Sequence, residues 1–191
     1  DFIMEKMNVA IFFGGCSPEY SVSLSSASGV VLNLDHTKYN PVLIGITQEG
    51  SWYHYVGPVE KMLNDTWHNP EDCTTAALSP NRGEKRLLLL KESGIESLPL
   101  DIAFPVLHGC NGEDGTIQGL LELAGLPIAG CGTLASALGM DKDRAHRLAS
   151  LNGVRVPRHA VLEKDTALSQ AETFAEEIGY PLYVKPVKAG S

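Results

Sequence analysis

The sequence lacks several features that would each point to a class of protein. It has no basic tract longer than Lys85-Arg86, and its 15 lysine and arginine residues are outnumbered by 23 aspartate and glutamate residues, for a net charge of -8. Because a nucleic-acid backbone attracts basic surfaces, we expect no nucleic acid as a partner. No apolar run approaches the roughly 18 residues that cross a bilayer, so we expect no membrane partner.

Motifs for common cofactors and for disulfide frameworks are also missing. Cys16, Cys73, Cys110 and Cys131 form no C-x-x-C pair, so their spacing indicates neither a zinc site nor a redox motif. A chain of 191 residues that is 43% hydrophobic needs no disulfide to fold. This use of cysteine fits a reducing compartment, so we predict a cytoplasmic protein. Neither G-x-G-x-x-G nor G-x-x-x-x-G-K-[ST] occurs, so no dinucleotide fingerprint or P-loop is supported.

What the sequence does contain is an alternation of apolar runs and amphipathic stretches. Short apolar runs bounded by glycine or proline predict strands, and apolar residues at helical spacing predict helices. The predicted strands are 9–13, 41–47, 51–55, 87–90, 101–107 and 127–129, and the predicted helices are 23–34, 59–63 and 117–124. Their order predicts an α/β fold with an open, parallel, Rossmann-like sheet, and irregular structure for the rest of 57–83.

A second unit is predicted to follow residue 132. Asp141 is the predicted cap of a helix that runs to Leu151, and Asp165 is the predicted cap of a helix between strands at 158–162 and 182–187. These few elements cannot bury their own apolar face, so we expect this unit to be incomplete. We predict three divisions of the chain. Residues 1–7 are a remnant of cloning together with the start of the protein, residues 8–132 are the first domain, and residues 133–191 are a truncated second domain.

Two predicted turns carry polar residues directly after a strand. Glu19 follows Gly14-Gly15, and a carboxylate beside a helix N-terminus either holds a cationic group or only complements the helix dipole. His108 and Glu113 follow a later buried strand, which favours a functional role, whereas Asp114 stands where a helix cap belongs. Ligands of open α/β sheets bind outside the carboxyl ends of strands, so both turns are predicted to face one crevice. The remaining histidines are scattered and predict no metal site.

Two lysines occupy positions that disfavour a cation. Lys142 begins a predicted helix, where the dipole repels positive charge, and Lys185 lies on an apolar predicted strand, where an unpaired ammonium is costly to bury. Contact with phosphate would explain both lysines. The alternative is that both side chains extend to solvent.

Taken together, these stretches resemble the amino-terminal half of the D-alanine–D-alanine ligases. The motifs are GGCSPEYSVSL, LHGCNGEDGTIQGLLELAGLP, GCGTLASALGMDKDRAH and YVKPVKAGS, which follow the family's order and approximate spacing over nearly the whole chain. With SWYHY and MDKDRAH included, the resemblance is closest to the D-alanine–D-serine ligases of vancomycin-resistance type. It implies a pre-ATP-grasp, substrate-binding domain at 8–132 and the start of an ATP-grasp domain at 133–191.

The resemblance also implies an activity and its partners. Such enzymes use ATP and Mg²⁺ to convert D-alanine into an acyl phosphate, which the amine of a second D-amino acid then attacks. The second substrate would be D-alanine or D-serine, the product would serve peptidoglycan synthesis, and the enzyme would be a cytoplasmic homodimer.

Site residues carry over from the family's motifs. Glu19 and Ser191 would be catalytic: Glu19 binds the ammonium of the first D-alanine, and Ser191 fixes that carboxylate. Ser23 would belong to the substrate pocket, His108 would lie beside the substrate carboxylate, and Glu113 would anchor the loop that carries His108.

The nucleotide site and the metal site are only partly covered. Lys142, Lys185 and Ser191 match residues that hold ATP. The family's adenine clamp, ω-loop, oxyanion arginine and Mg²⁺ ligands have no counterpart in the sequence, so we expect a fragment without metal ligands that does not catalyse ligation alone. The alternatives are another ATP-grasp ligase with a different acceptor and a stand-alone module that binds a small ligand.

Overall fold

The computed structural model describes residues 5–190, and Ser191 lies outside the described residues. The strands are β1 (Met7–Gly14), β2 (Tyr39–Ile46), β3 (Trp52–Tyr55), β4 (Cys73–Leu78), β5 (Arg86–Lys91), β6 (Gly94–Pro99) and β7 (Ile102–Pro105). The helices are α1 (Tyr20–Asn33), α2 (Val59–Leu63), α3 (Thr116–Leu123), α4 (Thr133–Met140), α5 (Lys142–Leu151) and α6 (Leu168–Ile178). None of these helices within residues 5–190 is long and apolar enough to cross a bilayer.

The chain divides into two compact units, and the division falls between Ala137 and Leu138. Unit 1 contains the whole sheet with α1, α2 and α3, and unit 2 contains α5 and α6. The division lies inside α4, which begins at the first residue of the predicted second domain. Met7 is the first residue of β1, so the last residue of the predicted division 1–7 already belongs to the sheet.

The centre of unit 1 is β1, whose apolar run is buried on both faces of the sheet. Ala10 and Phe12 pack into one apolar cluster with β2, β4, β5 and α3, whereas Ile11 and Phe13 pack into a second cluster with α1. Both clusters need apolar side chains, which explains why β1 is uniformly hydrophobic and does not alternate with polar residues. Two apolar layers therefore hold the sheet between helices.

The seven strands form one sheet in the order β6-β5-β4-β3-β2-β1-β7. β1 pairs in parallel with β2 and with β7, while every other pairing is antiparallel. The predicted open α/β sheet is confirmed, but the sheet is mixed, and only its β2-β1-β7 side is parallel. On that side the carboxyl ends of β1 and β7 lie at the same edge, which brings the turns that follow them together.

Most predicted elements of unit 1 are confirmed, and the structure pairs β2 with β3 and β5 with β6 as antiparallel neighbours. The predicted strand at 127–129 is reduced to a single parallel bridge between Ala103 and Ile128. The expectation of irregular structure was wrong for β4, which pairs with β3 and β5. Its residues are CTTAAL, in which Leu78 is the one large apolar side chain, so the local pattern indicates a strand only weakly and the pairing comes from its neighbours.

Unit 2 departs further from the prediction. The helix capped by Asp141 is confirmed, since the Asp141 carboxylate accepts the Arg144 N–H at 3.1 Å. Asp165 was wrongly predicted as a cap, because α6 begins later with Ala167 as its N-cap. The predicted strands at 158–162 and 182–187 are not formed in the described residues. An extended segment becomes a strand only where a neighbour takes up its backbone hydrogen bonds, and neither segment has such a neighbour within 138–190.

Candidate active site

The first turn of the site joins β1 to α1 and ends at Glu19. Glu19 is the N-cap residue of α1 and is half-buried, and its side chain makes no capping hydrogen bond. Its backbone is fixed instead: the N–H donates to Ser17 Oγ at 3.1 Å, and the carbonyl accepts the Ser23 N–H at 3.1 Å. The carboxylate therefore stays available at a helix N-terminus while its main chain is held.

The path of this turn depends on Gly14. Its φ is +85°, and a Cβ at this position would lie 2.2 Å from the carbonyl oxygen of Ile46 on the neighbouring strand. The next residue, Gly15, donates its N–H to that same oxygen at 2.8 Å. Only glycine fits where the turn crosses so close to β2, so the glycine pair fixes where Glu19 lies.

The second turn follows β7 and carries His108, Glu113 and Asp114. The half-buried His108 ring contacts Ser26 of α1, with Nε2 3.1 Å from Ser26 Oγ. The Glu113 carboxylate accepts the Gly109 N–H at 2.8 Å. The turn is thus tied to α1 through His108 and closed on itself through Glu113.

Asp114 holds the last part of the same turn. Its carboxylate accepts the N–H groups of Asn111 at 2.9 Å and Thr116 at 3.0 Å. Partial burial raises the pKa of Asp114, but these hydrogen bonds favour the charged form more strongly and hold the pKa below its usual value. The N-cap position itself is Gly115, so Asp114 ties down the approach to α3 from one residue earlier.

The two turns meet at Gly109. A Cβ placed on Gly109 would lie 2.5 Å from Glu19 Oε2 and 2.7 Å from Ser17 Oγ, so the Glu19 carboxylate lies directly against this backbone. The predicted convergence of the first and second turns is therefore observed. The structure brings Glu19, His108 and Glu113 to one edge of the sheet.

Ser23 joins the same two turns from beneath. Its side chain is fully buried, its Oγ accepts the Gly14 N–H at 2.9 Å, and its hydroxyl donates to the Val106 carbonyl. Both hydrogen-bonding functions of the hydroxyl are therefore used by backbone at the ends of β1 and β7. In this structure Ser23 supports the site and is not exposed within it.

The two predicted lysines belong to unit 2. Lys142 is the first residue of α5, and its Nζ donates to the Gly190 carbonyl, whereas Lys185 is exposed. Both lysines line a cavity of about 970 Å³, and the apolar Phe174 and Ile178 of α6 also line it. A cavity with cationic and apolar walls suits a ligand that is anionic at one end and flat and apolar at the other.

Three site features are not found by sequence reasoning. Ser26, the partner of His108, stands seven residues after Glu19, a helical spacing that would have placed both on one face of α1. Tyr20 bonds to Asp65 and Trp67, which are far away in sequence and give no such signal. The close approach of Gly109 to Glu19 likewise depends on the fold.

Fold and site together define an α/β domain with a cluster of polar side chains at the carboxyl ends of two parallel strands. The chain belongs to the D-alanine–D-alanine ligase family, since the family model described as D-ala D-ala ligase N-terminus matches residues 8–131. The resemblance noted in the sequence is thereby confirmed.

The most similar proteins include ligases with different acceptors. The crystal structure of VanG D-Ala:D-Ser ligase from Enterococcus faecalis is 46% identical with a TM-score of 0.84, and the match covers 98% of this chain and 54% of that one. A D-alanine–D-alanine ligase of Caldicellulosiruptor bescii is 42% identical over 98% of this chain and 52% of its own length. The vancomycin/teicoplanin A-type resistance protein VanA of Enterococcus faecium is 41% identical over 98% and 52%. The chain thus spans about half the length of the curated relatives it matches.

Proposed function

We propose that this chain supplies the first-substrate pocket of an ATP-dependent ligase that joins D-alanine to a second D-amino acid for peptidoglycan synthesis. The observation that carries the proposal is the position of the Glu19 carboxylate against Gly109, where the two turns meet. A carboxylate at this point is suited to an ammonium group, and His108 directly precedes Gly109 in the adjoining turn. An amino acid has both of the groups that such a pair would recognise.

The proposed roles follow from the contacts of each residue. Glu19 would hold the ammonium of the first D-alanine, and His108, steadied by Ser26, would lie beside its carboxylate. Glu113 would keep the His108 turn in place through the Gly109 N–H, and Ser23 would keep both turns together from below. We assign Ser191 as the partner of Glu19 and an ATP contact on the family motif alone.

Lys142 and Lys185 would hold the phosphates of ATP, which supplies the phosphoryl group for activation of the D-alanine carboxylate. The cavity that both lysines line supports this assignment, because its apolar wall could take the base. Cationic side chains at such a site offset charge that develops on a transferring phosphoryl group. Residues 5–190 contain no group of three or more histidine, cysteine or carboxylate side chains placed to bind a metal.

The second substrate in this proposal is D-serine or D-alanine. The similarity to a D-Ala:D-Ser ligase at 46% identity supports D-serine, and the similarity to D-alanine–D-alanine ligases at 42% supports D-alanine. Cytoplasmic location and a homodimer belong to the same proposal. ADP release by the complete protein that the gene encodes, with D-alanine, D-serine or D-lactate as acceptor, would distinguish the acceptors.

The decisive experiment for the pocket is Glu19→Gln in that complete protein, with D-alanine varied. Loss of one charged contact to the ammonium should raise KM for the first D-alanine on the order of 100-fold. Glu60→Gln is the matched control, because Glu60 is an exposed glutamate in the first turn of α2. If Glu19 only complements the helix dipole, both variants will lose a little stability and keep the wild-type KM, and the proposal will be wrong.

A further inference from the structure

We propose that Tyr20 is a positioning residue for Glu19, held in place by Asp65 and Trp67. The inference rests on the proposed function, because it explains how the Glu19 carboxylate is kept where an ammonium would bind. Tyr20 is the first residue of α1 and directly follows Glu19 in the chain.

The Tyr20 hydroxyl is fixed by two hydrogen bonds from a segment far away in sequence. It donates to Asp65 Oδ1 at 2.8 Å and accepts the Trp67 Nε1–H at 2.9 Å. The Tyr20 side chain is 7% exposed and Trp67 is fully buried. Burial is the main reason why the pKa of Tyr20 rises to about 12, so the hydroxyl keeps its proton and stays a donor near neutral pH.

Trp67 is itself immobilised by packing. Its ring lies edge-on to Phe13 with centroids 4.9 Å apart, and a Cβ on Gly45 would lie 2.3 Å from its Cζ3 atom. The indole therefore packs on the face of the sheet against Phe13 of β1 and Gly45 of β2, and it cannot shift without disturbing both contacts. The Trp67 N–H is a fixed point to which Tyr20 is attached.

The attachment matters for Glu19 because Tyr20 is the next residue along the chain and begins the helix that Glu19 caps. Within residues 5–190 the Glu19 carboxylate has no hydrogen-bond partner, and its direction follows from its backbone. On one side that backbone is held by Ser17, and on the other side it continues into Tyr20, whose ring edge would lie 3.0 Å from a Cβ on Gly14. Tyr20 thus lies close to Gly14 of the glycine turn and anchors the backbone next to Glu19.

Asp65 forms the exposed end of the network. Its φ is +54°, a left-handed conformation that few residues other than glycine adopt, and its N–H donates to the Met62 carbonyl at 3.2 Å. The turn that follows α2 thus places the Asp65 carboxylate against the Tyr20 hydroxyl. An aspartate or an asparagine at this position can accept from the tyrosine, whereas an alanine cannot.

Tyr55 offers a matched control for a purely structural role. It is 1% exposed, donates its hydroxyl to the Pro58 carbonyl at 2.7 Å and packs edge-on against the same Trp67 at 6.0 Å. Tyr55→Phe and Tyr20→Phe therefore remove the same group from the same aromatic cluster. Only Tyr20 adjoins Glu19.

The experiment measures kcat, KM for the first D-alanine, KM for ATP and Tm in the complete protein that the gene encodes. Tyr20→Phe removes both hydrogen bonds of the hydroxyl, to Asp65 and from Trp67, and should raise KM for D-alanine about tenfold, with KM for ATP unchanged. Tyr55→Phe should lower Tm about as much as Tyr20→Phe does, and it should leave KM for D-alanine unchanged. Asp65→Ala should reproduce part of the Tyr20→Phe effect, and Asp65→Asn should restore most of it.

Each other outcome has a definite meaning. If Tyr20→Phe and Tyr55→Phe give the same KM for D-alanine while Glu19→Gln is impaired, the positioning role of Tyr20 is overturned and the proposed function stands. If Asp65→Ala leaves KM for D-alanine at the wild-type value, Asp65 is not part of the network that holds Tyr20. If Glu19→Gln has wild-type KM, the proposed function itself is overturned.

Discussion

Gly109 occupies a position where no side chain fits. Its φ is +70°, and the Glu19 carboxylate and Ser17 hydroxyl both lie where a Cβ would be. A methyl group there would push the first turn away from the second. The distance between the two turns, and with it the shape of the proposed pocket, therefore requires glycine at position 109.

Replacing Gly109 by alanine should raise KM for D-alanine at least tenfold in the complete protein, because the methyl group displaces the carboxylate that is proposed to bind the substrate ammonium. Backbone strain at positive φ would also cost roughly 1 kcal/mol. Gly153→Ala is the control, since Gly153 has a φ of +77° but no atom near its Cβ position. A shift in KM of the same size in both variants would show that strain, and not displacement, is responsible.

At the residue scale, the sequence predicts the polar groups but not their partners. Glu19, His108 and Glu113 can be singled out because each follows an apolar run that ends in glycine or a polar turn. The hydrogen bond of His108 to Ser26 spans 82 residues, and that of Tyr20 to Asp65 spans 45. Contacts of such separation follow from the strand order, which no local pattern contains.

The turn between β7 and α3 should respond to pH through Asp114. Because the pKa of Asp114 is held below its usual value, the folded state binds fewer protons than the unfolded state near pH 4. Its contribution to stability is fully present above the unfolded pKa of about 3.9 and is lost as the pH falls through the lower folded value.

Asp114→Asn should therefore lower Tm at pH 7 and flatten the decline of Tm between about pH 4 and pH 2, since the amide can accept only part of the hydrogen bonding and does not titrate in this range. Thermal unfolding of both proteins from pH 2 to pH 7 measures this. Glu92→Gln provides a control at an exposed carboxyl outside the turn. An unchanged slope in Asp114→Asn would contradict the assignment.

Helix caps show what local sequence can and cannot establish. Asp141 and Asp165 both precede apolar residues at helical spacing, yet only Asp141 accepts a backbone N–H of the helix. The stretch after Asp165 leaves room for α6 to begin later, at Leu168, with Ala167 in the cap position. A candidate cap predicts that a helix is near, whereas its first residue is decided by packing.

Asp141→Ala should cost about 1 kcal/mol of α5 stability, because an N–H of the first turn loses its acceptor. Asp165→Ala should cost nothing measurable. Hydrogen exchange of the α5 and α6 amides in each variant tests both statements. Equal exchange of α5 in Asp141→Ala and in the unaltered chain would rule out the capping role.

Across the molecule, unit 1 and unit 2 differ sharply in how much they bury. Unit 1 holds two apolar clusters around the sheet, while residues 138–190 contain only two buried residues, Asp141 and Ala175. In that unit Tyr183 is 87% and Val184 90% exposed. The apolar pattern of 182–187 predicted a buried strand. The pattern is present, but within the described residues no neighbouring strand pairs with this segment.

This difference in burial predicts different local stabilities. Hydrogen bonds in a segment with few buried apolar contacts open at low free energy, whereas those of a packed core open only with global unfolding. In this 191-residue chain the amides of α6 should therefore exchange at least on the order of 100-fold faster than those of α1, which packs on the sheet. Hydrogen exchange with mass spectrometry compares the two helices within one sample, so neither pH nor denaturant differs between them. Equal protection of α6 and α1 would mean that unit 2 is stabilised by something other than the burial of its own side chains.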